Sequence, residues 1–376
     1  MKTLFSRTSI LLPAPGTDME KWSVIACDQH SSEPEYWEAL SRQIAGAPST
    51  LNLMLPEAFL NREIRTESEK INAVMREYLS SGVFAEIQDS YIYVERTLSS
   101  GAVRRGLVGA LELSAYDYAK GSVSPIRATE GTVEERLPAR VAIRKSAPLE
   151  MPHVMVFADD RQDLLFSAVE KGECLYDFDL SAGGGHIRGW KVSGAAADRI
   201  DAALTALAAE AEERYAGFSP AVLAIGDGNH SLATAKKCGD SRALVELVNI
   251  NDPAITFEPI HRVLFNTDTA DFIARFGSSV AKIPLQENYA RLVSETEEFC
   301  QEYIRTHGGS IDYIHNDETA VSMGQRKNCA AVLLPPLDKT ELFSCIVRNG
   351  VFPKKSFSIG HAEDKRYYLE CRKTGD

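Results

Sequence analysis

The chain lacks closely spaced cysteines. Seven cysteines occur in 376 residues, and the two nearest in sequence, Cys329 and Cys345, are 16 positions apart. An odd number of widely spaced cysteines argues against a disulfide framework and against a cysteine-rich zinc site. We therefore expect a protein of a reducing compartment, the cytoplasm.

Long apolar runs are missing too. The apolar run near the N-terminus, Ile10 to Leu12, is stopped by Pro13. This run is too short for the core of a signal peptide, and no stretch approaches the ~18 apolar residues of a membrane span. These absences agree with the cytoplasmic location and predict no membrane partner.

Positive charge is scarce. The 41 Lys and Arg residues face 53 Asp and Glu residues, which gives a net charge of −12 at pH 7. A chain of this sign does not attract nucleic acid through its overall charge, so nucleic acid is disfavoured as a partner. The phosphate-loop, dinucleotide and kinase signatures are absent, and the run Gly183–Gly185 predicts a flexible hairpin tip. Nothing in the pattern indicates an oligomeric state.

The most informative segment that is present covers residues 221–236. It predicts a short apolar strand, a glycine turn over Gly226–Ser231 and the opening of a helix. A helix N-terminus offers unpaired N–H groups and partial positive charge to a phosphate or carboxylate. Gly226 and Gly228 allow positive φ angles or close approach of a ligand. Asp227 and His230 suit a general base, metal ligand or phosphate contact, or alternatively serve only as helix cap and first-turn residue.

The remaining pattern mixes β-hairpins with strand–helix units. Hairpins are predicted for residues 85–98 with 103–113 and for 174–180 with 186–192, and helices are predicted after the capping box Ser32–Glu35, from Thr66 with Glu69 as its capping partner, and over 195–215. This mixture indicates an α+β fold, in which a mixed sheet with β-hairpins carries packed helices. We expect a main domain over 1–266 and a smaller α/β domain over 267–376 that closes back on the site.

Three further polar segments are candidates for ligand contact. Arg136, Arg140 and Arg144 offer forks for phosphate oxygens, or else form a solvated helix face balanced by Glu134 and Glu135. The pair Lys355-Ser356 suits a phosphate or an exposed edge strand. Asp28 follows the apolar residues Val24–Ala26 directly, and a polar side chain at the carboxyl end of a strand often faces a ligand.

Together these segments resemble an uncharacterised bacterial and archaeal family, family 1015 of the domains of unknown function. Its signature, close to A-D-G-H-H-R-x-x-T-A, stands here as Gly226-Asp-Gly-Asn-His-Ser-Leu-Ala-Thr-Ala235. Three other family segments resemble Asn52–Pro56, the block from Thr129-Glu130 to Arg136, and Pro353–Ser356, so the likeness spans roughly residues 5–372.

The same signature resembles the strand–turn–helix box of the ParB and sulfiredoxin superfamily, which includes free-serine kinases. The resemblance implies a strand–turn–helix core of that type, with Asp227 and His230 beside a nucleotide or a phosphorylated substrate. Asn229 and Ser231 depart from the signature, and Ser231 replaces the arginine expected to hold phosphate. Either Arg136, Arg140 or Lys355 supplies that charge, or the ligand differs.

We therefore expect a nucleotide-dependent phosphotransferase that acts on a small hydroxylated metabolite such as serine, with ATP or ADP and Mg²⁺ as cofactors. In this hypothesis Asp227 is a general base or Mg²⁺ ligand assisted by Glu130. Backbone N–H groups of residues 228–230, with Arg140 and Lys355, hold phosphate oxygens. One alternative is a regulatory protein that binds a nucleotide or anion without turnover, and another is that the motifs are turn and capping devices only.

Overall fold

The computed structural model describes residues 3–132, 134, 137–151, 154–280, 289–360 and 364–375. The fold consists of two compact units, Met1–Ile255 with Ala362–Asp376, and Thr256–His361. The division falls after Ile255, whereas the sequence analysis placed a boundary after residue 266. The C-terminal segment belongs to the first unit because two of its short strands pair with strands near residues 25 and 150.

The first unit contains most of the regular structure. Its strands are β1 (Phe5–Ser6), β2 (Thr8–Pro13), β3 (Val24–Ile25), β4 (Phe84–Thr97), β5 (Val103–Glu112), β6 (Tyr116–Asp117), β7 (Ile126–Ala128), β8 (Leu149–Glu150), β9 (Met155–Ala158), β10 (Cys174–Asp179), β11 (His186–Ser193), β12 (Leu223–Asp227), β13 (Arg242–Asn249) and, after the second unit, β19 (Tyr367–Tyr368) and β20 (Arg372–Lys373). Its helices are α1 (Met19–Trp22), α2 (Pro34–Gln43), α3 (Ile64–Ser80), α4 (Leu137–Arg144), α5 (Leu164–Ser167), α6 (Ala195–Arg214) and α7 (Asn229–Cys238).

One large mixed sheet organises this unit. Its strand order is β10-β11-β4-β5-β13-β9-β12-β7-β6, with β1 added on β5 and β2 on β4. The predicted hairpins β4–β5 and β10–β11 are antiparallel, whereas β12 runs parallel to β7 and β13 runs parallel to β9. These pairings confirm the predicted α+β fold with a mixed sheet, β-hairpins and packed helices.

The sheet separates two apolar cores. Along β4 the side chains alternate, so that Ile92 and Val94 join one core with Trp22, while Tyr91 and Tyr93 join the other with Ile200. Successive side chains of a strand point to opposite faces, and here both faces are covered. This burial on both faces explains why residues 91–94 of β4 form an uninterrupted run of apolar and aromatic side chains.

Two helices begin at residues other than those predicted. The N-cap of α2 is Glu33 and not Ser32, so the predicted capping box does not form; Pro34 occupies the first turn. The N-cap of α3 is Glu63, whose carboxylate accepts hydrogen bonds from the N–H groups of Arg65 (3.2 Å) and Thr66 (2.7 Å). Glu is not one of the usual N-cap residues, but its carboxylate accepts hydrogen bonds from the free N–H groups of the first turn. Helix α3 therefore starts before Thr66.

The second unit is smaller. Its elements are β14 (Phe257–Pro259), β15 (His261–Phe265), α8 (Thr269–Ser279), α9 (Tyr289–His307), β16 (Ser310–Ile314), α10 (Asp317–Gly324), β17 (Cys329–Val332), α11 (Leu342–Asn349) and β18 (Phe357–Ile359). Strand β15 lies between β16 and β17, and β14 pairs with β18. Leu264, Phe272 and Cys300 form part of its buried core. Across the ranges described for both units, none of the helices has the length and apolar character needed to cross a membrane.

Candidate functional site

The glycine turn lies between a strand and a helix, as the sequence predicted. Strand β12 ends at Asp227, Gly228 adopts a left-handed conformation with φ 83°, and α7 begins at Asn229. Gly228 is the N-cap of α7, and having no side chain it cannot cap the helix. The alternative in which Asp227 is the helix cap is therefore wrong, because Asp227 precedes the cap position.

Packing explains the two glycines of the turn. A Cβ atom on Gly226 would lie 2.5 Å from the ring of Phe157, and one on Gly228 would lie 2.9 Å from Val154 Cγ2. Both distances are shorter than those observed between real Cβ atoms and their neighbours. Gly228 also has a positive φ, which residues with a side chain rarely adopt. Close approach of a ligand is thus not required to account for either glycine.

At the end of β12, Asp227 accepts hydrogen bonds from a backbone N–H group and from a lysine. Its Oδ1 accepts from the N–H of Gly228 at 2.9 Å, and its Oδ2 accepts from Lys365 Nζ at 3.0 Å. Both side chains are largely buried, with exposed fractions of 27% for Asp227 and 17% for Lys365. The carboxylate is therefore held in one orientation by a backbone group and a lysine.

Glu130 is delivered to the same edge of the sheet. Strand β7 runs parallel to β12 with Ala128 opposite Ile225, and Glu130 follows the end of β7. The hydroxyl of Thr129 donates to the carbonyl oxygen of Ile225 at 2.6 Å and ties the two strand ends together. Carboxyl ends of neighbouring parallel strands are where α/β sheets place ligands.

Asp28 reaches the site through a different pairing. Strand β3 pairs with β19, and the N–H of Ala26 donates to the carbonyl oxygen of Arg366 at 3.0 Å. This antiparallel pairing brings the residues after β3 alongside Lys365. The N-terminal and C-terminal parts of the first unit thus meet at this point.

Lys365 contacts Asp227 and lies within electrostatic range of two other predicted carboxylates, Asp28 and Glu130. Burial alone would lower the pKa of its ammonium, but the nearby carboxylates of Asp227, Asp28 and Glu130 raise the pKa above the ordinary value. A buried ammonium keeps its charge when carboxylates are this close. The structure therefore brings together three of the predicted site residues, and the cation beside them is Lys365.

Sequence reasoning missed Lys365. Its only local signal is a cluster of charged and aromatic residues over 364–368, which has no characteristic spacing. The residue lies 138 positions from Asp227 in the chain. Its role becomes visible only through the pairing of β3 with β19.

Arg140 has a carboxylate partner within the protein. Its guanidinium forms a close ion pair with Glu57, and the N–H of Glu57 donates to the carbonyl oxygen of Cys27 at 2.8 Å. Burial, followed by the charge of Asp28, raises the pKa of the Cys27 thiol to about 12, and Arg140 acts in the opposite direction. Arg140 therefore lies within electrostatic range of the segment that carries Asp28.

The rest of the arginine block is engaged elsewhere or lies outside the described residues. Arg144 donates to Asp240 at 2.7 Å and to Glu150 at 2.5 Å. Glu134, expected to balance the arginines, instead pairs with Lys237 at 3.0 Å. Arg136 and Glu135 lie outside the described residues.

The first turn of α7 carries the remaining signature residues. The carbonyl oxygen of His230 accepts from the hydroxyl of Thr234 at 2.7 Å. Asn229 Oδ1 is buried and has no hydrogen-bond partner within the described part of the chain. A buried acceptor of this kind usually binds water or a ligand.

Lys355 and Ser356 belong to the second unit. Ser356 is fully buried, and its hydroxyl donates to the carbonyl oxygen of Pro353 at 2.7 Å, which closes a turn. Lys355 is exposed, has a φ of 59°, and its Nζ lies 6.0 Å from the centre of the Tyr313 ring. The hydroxyl of Ser356 is thus used by the turn itself.

The predicted Mg²⁺ ligands do not form a complete cage. Over the described ranges, no group of three or more His, Cys, Asp or Glu side chains is arranged to hold a metal ion. Sites that bind Mg²⁺ with a phosphorylated substrate usually supply only one or two carboxylates. Asp227 and Glu130 stay predicted Mg²⁺ ligands.

The solved structures that this chain matches share little sequence with it. A free serine kinase in complex with AMP has 11% identity and a TM-score of 0.38, covering 69% of this chain and 90% of its own. A conserved hypothetical protein from Pyrococcus furiosus has 12% identity and a TM-score of 0.34 with the same coverage. C-terminally truncated SbnI from Staphylococcus aureus has 9% identity and a TM-score of 0.36, covering 67% of this chain and 82% of its own.

Among curated proteins, no match is found. The family described as "Protein of unknown function (DUF1015)" matches residues 11–374. This range includes the glycine turn, the block that begins at Thr129 and the Pro353–Ser356 segment, on which the resemblance was based. Because the match spans nearly the whole chain, the protein belongs to the DUF1015 family.

Proposed function

We propose that this protein is a nucleotide-dependent phosphotransferase that acts on a small hydroxylated metabolite of the serine type, with ATP or ADP as phosphate donor. The observation that supports this proposal is the ion pair of Asp227 with Lys365 beside the start of α7, with Glu130 and Asp28 within electrostatic range of the same lysine. The proposal includes a strand–turn–helix core of the ParB and sulfiredoxin type, and a cytoplasmic location.

The charge balance of this cluster favours a phosphate accompanied by a metal ion. One ammonium is within electrostatic range of three carboxylates, so negative charge is in excess. A bare phosphate would be repelled, whereas a nucleotide that carries Mg²⁺ brings its own compensation. Asp227 and Glu130 would hold the metal together with phosphate oxygens, and the metal would neutralise charge on the transferred group.

The residues of the cluster suit different parts of phosphoryl transfer. As the alternative to holding the metal, Asp227, which is fixed in orientation, would accept the proton of the attacking hydroxyl. Lys365 would take the place of the arginine that Ser231 replaces, since a lysine ammonium binds phosphate as a point charge. The N-terminal N–H groups of α7 would face phosphate oxygens. Arg140 and Arg136 remain proposed phosphate contacts, and His230 a proposed catalytic residue.

A specific observation favours a second candidate, a non-catalytic nucleotide-binding regulator. Oδ2 of Asp227 accepts a hydrogen bond from Lys365, which lowers its readiness to take up a proton. A nucleotide phosphate would compete with Asp227 for Lys365. In this alternative the exchange of partners is the switch and no bond is broken.

Thermal unfolding with nucleotides separates these candidates from a purely structural role. We expect ATP or ADP with Mg²⁺ to raise the Tm, since a ligand at a hundred times its Kd adds about 2.7 kcal/mol of stability. A transfer assay with radiolabelled ATP and a panel of hydroxylated metabolites then tests turnover. Tight binding without transfer supports the regulator, and no Tm shift with any nucleotide contradicts both candidates.

A further inference from the structure

We propose that Arg96, together with the hairpin tip Ser181–Gly185, positions Lys365 beside Asp227. The positioning is a property of the structure, and only its consequence for catalysis rests on the proposed function. Three sets of contacts support the proposal, from Arg96, from the glycines of the tip and from Arg366.

Arg96 joins two distant segments through one guanidinium. It lies on β4 and is 1% exposed. Its Nη1 donates to the carbonyl oxygens of Lys365 at 2.6 Å and Asp364 at 3.2 Å. Its Nε and Nη2 donate to the carbonyl oxygen of Gly184 at 3.1 and 2.9 Å. The planar fork thus fixes the backbone of Lys365 relative to the hairpin tip.

Burial of this guanidinium is unfavourable. Burial and then the charge of Arg104 lower the pKa of Arg96 to about 9. Arg104 nevertheless points to the same segment, since its Nη1 donates to the carbonyl oxygen of Asp364 at 3.2 Å. Two buried arginines therefore donate hydrogen bonds to the consecutive carbonyl groups of Asp364 and Lys365. A lysine side chain could not replace them, because it has no planar set of N–H donors.

The glycine-rich tip is shaped to receive the C-terminal segment. A Cβ on Gly184 would lie 2.6 Å from Tyr367 Oη, and one on Gly185 would lie 2.0 Å from the carbonyl oxygen of Thr97. Tyr367 Oη donates to the carbonyl oxygen of Ser181 at 2.7 Å. The tip therefore contacts a residue that follows Lys365 closely in the chain, and its flexibility stays a prediction from the sequence.

The residue after Lys365 is anchored as well. Arg366 donates to Glu246 at 2.5 Å and to Glu370 at 2.6 Å, and all three side chains are buried. Tyr176 Oη donates to Glu370 at 2.7 Å. Arg96 and Arg366 thus fix the backbone at Lys365, so that its flexible side chain extends from a fixed Cα position. A functional group needs such support to be placed accurately.

Chemical labelling of Lys365 tests the positioning without any assay of activity. Only the uncharged amine is nucleophilic. Burial beside Asp227 should therefore make acetic anhydride acylate Lys365, which is 17% exposed, more slowly than Lys70, whose ion pair with Glu67 leaves its side chain 65% exposed. The ratio of the two rates, read by peptide mass spectrometry, is the measured quantity. Asp227→Asn should raise this ratio and serves as the positive control.

Two variants disturb the positioning in different ways. Arg96→Lys removes the fork, and Gly184→Ala pushes on Tyr367 while Arg96 stays in place. We expect either variant to raise the ratio about tenfold, the effect of lowering the pKa of Lys365 by one unit. Arg372→Lys is the matched control, because Arg372 is buried in the same unit but bonds to Glu150 and the carbonyl oxygen of Arg242.

The outcomes separate this proposal from the proposed function. A ratio equal to wild type in a folded Arg96→Lys or Gly184→Ala protein overturns the positioning. If wild type shows no nucleotide-dependent transfer, the proposed function fails while the labelling still decides the positioning. If wild type is active, we expect a lower kcat in Arg96→Lys at unchanged KM for the hydroxyl substrate. An equal effect of Arg372→Lys on the ratio would show a general loosening of the fold and also overturn the proposal.

Discussion

Lys365 Nζ lies 3.0 Å from Asp227 Oδ2, although 138 positions separate the two residues in the chain. This ion pair lies at the carboxyl end of β12, immediately before the turn that opens α7. It brings a lysine ammonium to a turn whose own sequence contains no Lys or Arg.

The ion pair should contribute measurably to stability. Lys365→Met leaves Asp227 near two other carboxylates without a cation, and we expect a loss of about 1.5–3 kcal/mol, the range for hydrogen bonds to charged groups. Urea denaturation measures the free energy of unfolding. Lys70→Met, which breaks an exposed pair with Glu67, should cost at most about 0.5 kcal/mol. Equal losses in the two variants would contradict a structural role of the Lys365 pair.

Asp227 should matter for turnover more than for folding. Asp227→Asn keeps an acceptor for the N–H of Gly228 but removes the base, so we expect kcat to fall by about 10²–10⁴ while nucleotide still raises the Tm. Asp240→Asn is the control, since Asp240 is also partly buried and paired with an arginine. Unchanged kcat in Asp227→Asn would exclude Asp227 as the base of the proposed reaction.

Gly226 should act through packing. Gly226→Ala places a methyl group against Phe157, and we expect a loss of about 1–3 kcal/mol from overpacking. Phe157→Leu in the same chain should recover part of that loss, which a double-mutant cycle measures. Gly131→Ala is the control, because no described atom lies within 4 Å of its added Cβ. Weaker ligand binding at unchanged stability would instead favour the original interpretation that Gly226 admits a ligand.

His186 should make the hairpin β10–β11 sensitive to pH. Its ring nitrogens lie 2.7 Å from carboxylate oxygens of Asp179 and Asp177, and the hydrogen bond to Asp179 is the main cause of its raised pKa. A histidine whose pKa is higher in the folded than in the unfolded protein stabilises the fold when it is protonated. This contribution is complete at pH values below the pKa of the unfolded state, near 6.5, and is lost as the pH rises through the pKa of the folded state.

The stability difference between wild type and His186→Gln should therefore be larger at about pH 5.5 than at about pH 8.5. Urea midpoints at both values give the comparison, and an NMR titration of the imidazole gives the pKa itself. Asp179→Asn should bring that pKa back toward its ordinary value. A wild-type pKa at or below the unfolded value would refute the link.

Much of the local structure was predictable from the sequence. The hairpins β4–β5 and β10–β11 follow from β-branched and aromatic runs around turn residues, and α6 follows from its apolar spacing. The turn at Gly228 was predictable because a left-handed residue between strand and helix favours glycine. The start of α3 was missed because Glu63 is an uncommon cap.

The candidate site was predictable only in part. Asp28 was predicted because it follows a short apolar strand, Asp227 because it lies in a strand–turn–helix segment, and Glu130 because it belongs to a block that resembles the family. The partners of these residues were not predictable. Arg140 was expected to meet phosphate, and its guanidinium pairs with Glu57. Contacts between residues far apart in the chain produce no periodic pattern in the sequence, so they cannot be predicted from it.

The sequence by itself determined where strands, turns and helices lie in most of this chain, and the family to which the chain belongs, because turn chemistry and side-chain periodicity act over a few neighbouring residues. Only the tertiary structure decided that Lys365 faces Asp227, and that the glycine run 183–185 receives Tyr367. Both depend on the return of the C-terminal segment to β3, a pairing stabilised by burial and hydrogen bonds between residues more than 300 positions apart.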